Sequence, residues 1–144
     1  MTFTAVWAVI TAFRPDEGLL AATAAVQGQV AGVVVVDDGS GPDFGDVRAA
    51  ISAHGAIVVR LVENSGIAAA LNAGLRRAVE QGCDAAVTFD QDSMVEPGFI
   101  AALEQAHERA AAIGAHPGPV VPEYFAGVNQ VYSRSDDGTL LARH

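Results

Sequence analysis

Two pairs of aspartates follow apolar segments of this chain. Asp37 and Asp38 come directly after four consecutive valines, and Asp90 and Asp92 follow a second apolar run. In an extended segment, carboxylates at positions i and i+2 point to the same side, where they repel each other unless a cation lies between them. Carboxylate oxygens in an open, solvated site suit Mg²⁺ or Mn²⁺. The spacing of Asp90 and Asp92 therefore favours a divalent-cation site; the alternative is a solvated turn whose aspartates cap the next helix.

The pair at Asp37 and Asp38 also has two interpretations. Residues 39–42, Gly-Ser-Gly-Pro, are typical of a sharp turn, in which Asp38 would accept a hydrogen bond from its own backbone. A functional carboxylate at this place would instead accept from the N–H group of a base or from a ribose hydroxyl. Both interpretations fit the residues.

A third polar segment, Asn64-Ser65-Gly66, opens a helix rich in small residues. Asn64 is typical of a helix N-cap, and the N–H groups of a first helical turn have no partner within the helix. Asn72 lies inside the same helix, where asparagine is unfavourable; it either faces solvent, braces a loop or contacts a ligand. The start of this helix is therefore a further polar element able to approach a ligand.

The charge of the chain limits its partners. The formal net charge is −9 at pH 7, and the chain contains no lysine. A nucleic-acid-binding domain needs a basic surface that displaces counterions from phosphates, so we expect no nucleic-acid partner. An acidic protein also repels a nucleotide diphosphate. A divalent cation or backbone N–H groups would have to screen the phosphates of such a ligand.

The elements that must position these residues alternate between apolar strands and helices. We predict strands at 4–11, 32–37, 56–62 and 84–89, helices at 15–27, 46–54, 65–81 and 97–113, and a fifth strand at Val120 and Val121. This order is typical of an α/β fold, with a mostly parallel sheet and helices on both faces. Ligands of such sheets bind outside the carboxyl ends of the strands. Residues 11–15, 37–40 and 90–93 fall at such ends, so we expect their side chains to converge.

Four segments in the order of the chain resemble glycosyltransferase family 2, whose members have the glycosyltransferase A-type fold. The segments are Thr-Ala-Phe-Arg-Pro after the first strand, Val-Val-Val-Asp-Asp-Gly-Ser after the second, Asn-Ser-Gly-Ile-Ala-Ala-Ala-Leu-Asn-Ala-Gly, and Phe-Asp-Gln-Asp-Ser. The last two are most similar to the rhamnosyltransferase branch. The resemblance covers residues 4–100 and implies the Rossmann-like half that binds the nucleotide sugar.

The resemblance implies a role for the residues that would contact the base. Thr11 and Phe13, with Arg14 in the same segment, match the lining of a nucleobase pocket. Asp38 matches the carboxylate that accepts from the base N–H, with Asp37 beside it. We therefore count all five among the expected nucleotide-binding residues.

The remaining matches concern the ribose, the diphosphate and the cation. Asn64 and Gly66 match a loop that flanks the ribose and the diphosphate. Asp90 matches the first aspartate of the metal motif, near the ribose and the metal. Asp92 matches the aspartate that holds Mg²⁺ or Mn²⁺ on the diphosphate. The reaction implied is inverting, metal-dependent transfer of a sugar, with rhamnose as a candidate, from a UDP- or dTDP-linked donor to a glycan or lipid-linked acceptor, as in cell-wall or polysaccharide biosynthesis.

The chain departs from the family pattern on the acceptor side. Members carry an Asp or Glu general base well after the metal motif, and no motif here matches it; we interpret Asp136 and Asp137 as a solvated turn. We assign residues 1–124 to the nucleotide-sugar-binding domain and 125–144 to a poorly patterned tail, an edge hairpin or the start of a truncated acceptor region. Two alternatives remain: a fragment that binds a nucleotide sugar without catalysis, and a sugar nucleotidyltransferase, which would carry a glycine-rich basic loop at 11–15.

Two features bear on the compartment. The lone cysteine, Cys83, allows no internal disulfide, which suits a reducing cytoplasm. The apolar N-terminus has no leading positive charge and is too short to span a bilayer. We expect a cytoplasmic protein, with the inner face of the membrane reached only through segments outside this chain.

Overall fold

The computed structural model describes residues 2–114 and 119–120, together with the backbone of 131–134 and 140–143. Four strands form one sheet: β1 (Val6–Ala12), β2 (Gly32–Asp37), β3 (Ile57–Arg60) and β4 (Ala85–Asp90). They lie in the order β3-β2-β1-β4, and every pairing is parallel. The α/β fold with a parallel sheet is therefore confirmed.

Four helices connect and follow these strands, each close to its predicted position. They are α1 (Glu17–Gln27), α2 (Gly45–Ala53), α3 (Ile67–Glu80) and α4 (Phe99–Ala112), and a 3-10 turn at Pro42–Phe44 precedes α2. Helix α1 begins after Asp16, whose side chain accepts a hydrogen bond from the N–H of Gly18 at 2.8 Å. Such a carboxylate satisfies one of the N–H groups that a first turn leaves without a partner.

The helices cover both faces of the sheet, as the sequence predicts. Along β1, Ala8 and Ile10 point to a face packed by α1, α2 and α4, which contribute Leu19, Val26, Ile51 and Ile100. Val9, between them, points to the opposite face, where Ala70 and Ala78 of α3 pack. Successive strand residues face opposite sides, so a run of valines is what a strand buried on both faces requires.

Helix α3 lies close against the sheet because Gly74 faces it. A Cβ at this position would lie 2.4 Å from a methyl carbon of Val9 and 2.9 Å from one of Val36. This close approach packs the middle of α3 directly on β1 and β2.

Two expectations for the end of the chain have different outcomes. The fifth strand at Val120 and Val121 is wrong for Val120, which has no regular structure; Val121 lies outside the described residues. Among residues 125–144, β5 (Val131–Arg134) and β6 (Leu140–Arg143) pair antiparallel in a separate two-stranded sheet. A strand pair is therefore present as the edge-hairpin interpretation expects, but it does not extend the four-stranded sheet. Asp136 and Asp137 lie outside the described residues.

Within the described part of the chain, no helix is long and apolar enough to cross a bilayer. Cys83, at the end of the α3–β4 connection, is half-buried against the α3 face of the core. Burial, and secondarily the neighbouring Asp84 carboxylate, raise the pKa of its thiol, so the thiolate form is disfavoured at neutral pH.

Candidate functional site

The carboxyl ends of the three strands that carry the motifs meet at one edge of the sheet. Strand β1 lies between β2 and β4, with Ala12 opposite Asp37 and Thr11 opposite Asp90. The expected convergence of the three strand-end segments is therefore present. The parallel register, set by the buried valines of β1 and β2, produces it.

A pocket of about 220 Å³ lies at this edge. Eight residues line it: Thr11, Ala12, Phe13, Asp38, Ile67, Ala70, Asp90 and Gln91. Thr11, Ala12, Asp38 and Ala70 are buried, whereas the side chains of Phe13 and Ile67 remain exposed. Pockets that enclose a whole drug-sized ligand have volumes of about 300–1,000 Å³, so this pocket suits one ring system, with the rest of a ligand outside it.

The expected site residues divide into two groups around this pocket. Thr11, Phe13, Asp38 and Asp90 line it. The other five, at a strand end or in turns beside the pocket, do not line it: Arg14, Asp37, Asn64, Gly66 and Asp92.

Asp37 is buried and paired. Its carboxylate lies 2.6 Å from a guanidinium nitrogen of Arg48 in α2 and accepts a second hydrogen bond from the N–H of Ser40 at 3.0 Å. The same nitrogen of Arg48 donates to the carbonyl of Gly41 at 2.9 Å. Asp37 therefore shapes the turn that follows β2.

Asp38 points to the opposite face and joins two loops. One carboxylate oxygen accepts from the N–H of Ser65 at 2.7 Å, and the other accepts from the N–H of Gly66 at 3.0 Å. Asp38 is 6% exposed, and it still lines the pocket. Asp38 therefore links the end of β2 to the residues before α3, and it also contributes a carboxylate to the pocket.

The capping role expected for Asn64 is wrong. Helix α3 begins at Ile67 with Gly66 at its N-cap, and no side chain caps it. The preceding turn packs so closely on Gly39 that a Cβ there would lie 2.2 Å from the carbonyl carbon of Glu63. The carboxylate that binds this turn comes from Asp38, 27 residues away from Ser65, which no local pattern could indicate.

The loop after β1 is held by side chains from both neighbouring strand ends. The side-chain oxygen of Gln91 accepts from the N–H of Phe13, and the hydroxyl of Ser40 accepts from the N–H of Arg14, each at 2.8 Å. Arg14 has a φ of 47°, a conformation that residues other than glycine seldom adopt. Its guanidinium lies 5.1 Å from the centre of the Phe13 ring, within cation–π range.

Asp90 is the last residue of β4 and Asp92 lies in the turn that follows, so the two do not share the extended segment assumed from the sequence. Asp90 ends β4, and the N–H of Ser93 donates to its carbonyl at 3.1 Å. Both aspartates are exposed. Residues 2–114 and 119–120 contain no cluster of three or more acidic, histidine or cysteine side chains able to hold a metal. Two exposed carboxylates nevertheless fit Mg²⁺, which commonly takes one or two carboxylates and completes its shell with water and phosphate oxygens.

The sequence did not indicate a role for four residues of this region. Gln91 and Ser40 lie within the motifs, but their residue types do not show which backbone groups they contact. Ile67 was treated only as part of a helix. Arg48 lies in α2, and no local sequence pattern indicates that it pairs with Asp37.

A larger groove, of about 520 Å³, runs along β4 and α4. Its lining is mainly apolar, including Phe3, Phe99 and Leu103. It extends from Asp84, just before β4, to Phe89, next to the carboxyl end of that strand, and it shares no lining residue with the smaller pocket.

Three comparisons with known proteins bear on this arrangement. A family model described as glycosyl transferase family 2 matches residues 7–139. The dTDP-rhamnosyl transferase RfbF of Shigella flexneri is 35% identical over 100 residues, which are 68% of this chain and 33% of that protein. The chain thus spans about a third of the length of this relative.

The crystal structure of S. aureus TarS, residues 1–349, is similar with a TM-score of 0.53. The match covers 85% of this chain and 40% of that one, at 15% sequence identity. At so low an identity the likeness concerns the fold alone, and it agrees with the parallel sheet and its order of helices.

Proposed function

The chain belongs to glycosyltransferase family 2, and from this premise we propose that its carboxyl-edge pocket binds the base of a nucleoside diphosphate sugar whose sugar is then transferred. The observation that carries the proposal is the pocket itself, lined by Thr11, Phe13, Asp38 and Asp90 from three separate strand ends. Four of the residues that the motifs single out thus contribute to one ring-sized cavity.

The pocket offers the two kinds of contact that a base needs. Phe13 and Ile67 supply apolar surface at its mouth, while Asp38 supplies a carboxylate inside. Each Asp38 oxygen accepts one backbone N–H, and a carboxylate oxygen has two lone pairs. Asp38 therefore keeps capacity to accept from the ring N–H of a uracil or thymine base.

The diphosphate of such a donor would extend from the pocket towards Asp90 and Asp92. An acidic chain without lysine has few side chains to neutralise it, so Mg²⁺ or Mn²⁺ on these two aspartates is part of the proposal. A cation in this place would stabilise the charge of the departing nucleoside diphosphate by several kcal/mol. The turn at 90–93 leaves both aspartates exposed, where such a cation could bind them.

The proposal extends to the identity of the donor and the acceptor. We favour dTDP-rhamnose as donor because the Shigella relative is named a dTDP-rhamnosyl transferase, with UDP-linked sugars as the alternative. The acceptor would be a glycan or a lipid-linked glycan, with inversion at the transferred carbon. Reaction in the cytoplasm, at the inner face of the membrane where the acceptor is lipid-linked, is also proposed.

A second candidate function is binding of the nucleotide sugar without turnover. The observation that favours it is that the chain spans about a third of its relative. The sugar nucleotidyltransferase alternative loses its basis because the family model covers residues 7–139.

Calorimetric titration with UDP and dTDP, first with Mn²⁺ and then with EDTA, tests the proposal. We expect binding in Mn²⁺, a clear preference for one base and a large loss of affinity in EDTA. Equal binding with and without the metal would overturn the cation assignment, and no binding under either condition would overturn the donor site. Release of dTDP from dTDP-rhamnose, measured with and without glycan acceptors, separates a transferase from a binding unit.

A further inference from the structure

Gln91 stands between the two aspartates of the candidate cation turn and contacts a different loop. Its side-chain oxygen accepts from the backbone N–H of Phe13 at 2.8 Å. Because an N–H group can only donate, the contacting atom must be the amide oxygen. Gln91 also lines the pocket with Phe13. One side chain thus connects the turn at 90–93 to the aromatic residue at the mouth of the pocket.

The loop that Gln91 contacts needs such support. Arg14, directly after Phe13, has a φ of 47°, and a residue other than glycine held in that region costs about 1–3 kcal/mol and persists only where its surroundings impose it. Ser40 binds the N–H of Arg14 from the β2 side. Gln91 binds the N–H of Phe13 from the β4 side. The two acceptors together define where the Phe13 ring lies.

We propose that Gln91 is a positioning residue, which holds Phe13 against the base and thereby joins the base pocket to the cation turn. This inference rests on the proposed function. The carboxylates of Asp90 and Asp92 flank Gln91 on the same turn, closed by the hydrogen bond from Ser93 to Asp90. A cation–diphosphate group that fixes this turn also fixes the oxygen that Phe13 depends on.

The test compares two substitutions at Gln91 in the intact chain. Gln91→Met keeps the length of the side chain and removes the acceptor, so the affinity for dTDP or UDP at saturating Mn²⁺ should fall about three- to tenfold, the value of one hydrogen bond. Gln91→Glu keeps an acceptor oxygen for the N–H of Phe13 and should recover most of the affinity that Gln91→Met loses. Both variants should have the circular dichroism spectrum of the wild type, because neither substitution should disrupt the fold.

A control uses Gln29, a second glutamine whose side-chain oxygen accepts a backbone N–H. The side-chain oxygen of Gln29 accepts from Ile100 at 3.2 Å, between α1 and β2, and Gln29 does not line the pocket. Gln29→Met should lower the melting temperature without changing nucleotide affinity.

A double-substitution cycle separates positioning from general support of the fold. If Gln91 acts through Phe13, Gln91→Met should change affinity less than about twofold in a Phe13→Ala background, because the ring that it positions is gone. An equal loss in both backgrounds would overturn the inference, as would wild-type affinity in Gln91→Met. In either case, metal-dependent binding by the wild type leaves the proposed function standing. A wild type that binds neither nucleotide overturns both.

Discussion

Arg48 in α2 forms a nearly buried ion pair with Asp37 at the end of β2, with 2.6 Å between guanidinium nitrogen and carboxylate oxygen. Only 11% of the Arg48 side chain and 4% of the Asp37 side chain are exposed. The pair also binds the turn after β2 through Ser40 and Gly41. Because Ser40 in turn accepts from the N–H of Arg14, this ion pair supports the loop at the mouth of the carboxyl-edge pocket.

Replacing Arg48 should destabilise the fold far more than replacing an exposed arginine. Arg48→Met leaves the buried charge of Asp37 without its partner, for which we expect a loss of about 3–5 kcal/mol in the free energy of unfolding. Arg77→Met is the control, because its pair with Glu80 is exposed and should contribute less than about 1 kcal/mol. Urea unfolding followed by circular dichroism measures both, and similar losses for the two variants would contradict the assignment.

Removing Asp92 should abolish the metal dependence of nucleotide binding and leave the fold intact. Asp92 is exposed on the turn at 90–93, so we expect Asp92→Ala to change the free energy of unfolding by no more than about 0.5 kcal/mol. Titration with dTDP in Mn²⁺ and in EDTA should then give equally weak binding. Glu96→Gln, an exposed acid outside the motif, should keep the wild-type difference. Wild-type affinity in Asp92→Ala would remove Asp92 from the cation site.

The sequence predicts the fold well because its strongest signals are local. The four valines of 33–36 and the alternation of strands with helices identify the parallel sheet. Glycine is common just after the end of a helix, and Gly82 and Gly114 follow α3 and α4. Once the strands are known, the carboxyl-end rule places Thr11, Asp38 and Asp90 at one edge. The convergence of the pocket could therefore be predicted without contacts.

The ties within the site could not be predicted, because they join residues far apart in the chain. Asp38 binds Ser65 and Gly66, and Gln91 binds Phe13, 78 residues away. Asn64 has the residue type of an N-cap, but a carboxylate from β2 already binds the turn before α3. The assumption of an extended segment at Asp90 and Asp92 failed for a similar reason: β4 ends there in a hydrogen-bonded turn.

Replacing Gly74 by alanine should change the stability of the fold in the opposite direction from an ordinary Gly→Ala substitution within a helix. Gly→Ala in a helix usually stabilises by about 0.5–1 kcal/mol. At Gly74 the new methyl group would lie 2.4 Å from Val9, so we expect Gly74→Ala to destabilise by about 1–3 kcal/mol. Gly28→Ala is the control, since nothing lies within 4 Å of its Cβ position. Thermal unfolding that shows Gly74→Ala to be stabilising would mean that α3 does not pack this closely on the sheet.

Asp84 should give the stability of the fold a dependence on acid pH. The hydroxyl and the N–H of Thr4 and the N–H of Ala5 donate to its carboxylate at 2.6, 2.7 and 2.9 Å. These bonds, that of the Thr4 hydroxyl first, lower the pKa of Asp84 from 3.8 to about 2. When the pKa of a carboxyl is lower in the folded state than in the unfolded state, its stabilising effect is fully present above the unfolded-state pKa. The effect is lost as the pH falls towards the folded-state pKa.

Asp84→Asn tests this dependence. Its melting temperature should be below that of wild type at pH 7, and the difference should shrink between pH 3.8 and about 2. Asp43→Asn, at an exposed position of the turn before α2, should show no such convergence. A difference between wild type and Asp84→Asn that stays constant down to pH 2 would argue against a bond that depends on the charge.

Asp38 should affect both stability and nucleotide binding, because it is a tie and a pocket residue at once. Asp38→Ala leaves the N–H groups of Ser65 and Gly66 without their acceptor. Because Ser65 is exposed and Gly66 is half-buried, water can replace part of each bond, so we expect a loss of about 0.5–1.5 kcal/mol for each one. It also removes the carboxylate that would accept from the base. Asp38→Asn keeps one acceptor oxygen and should lie between wild type and Asp38→Ala in both measurements. Because Asp90 and Asp92 remain, the residual dTDP binding should still be weaker in EDTA than in Mn²⁺. A folded Asp38→Ala variant with wild-type nucleotide affinity would reduce Asp38 to a purely structural residue and move the base contact elsewhere in the pocket.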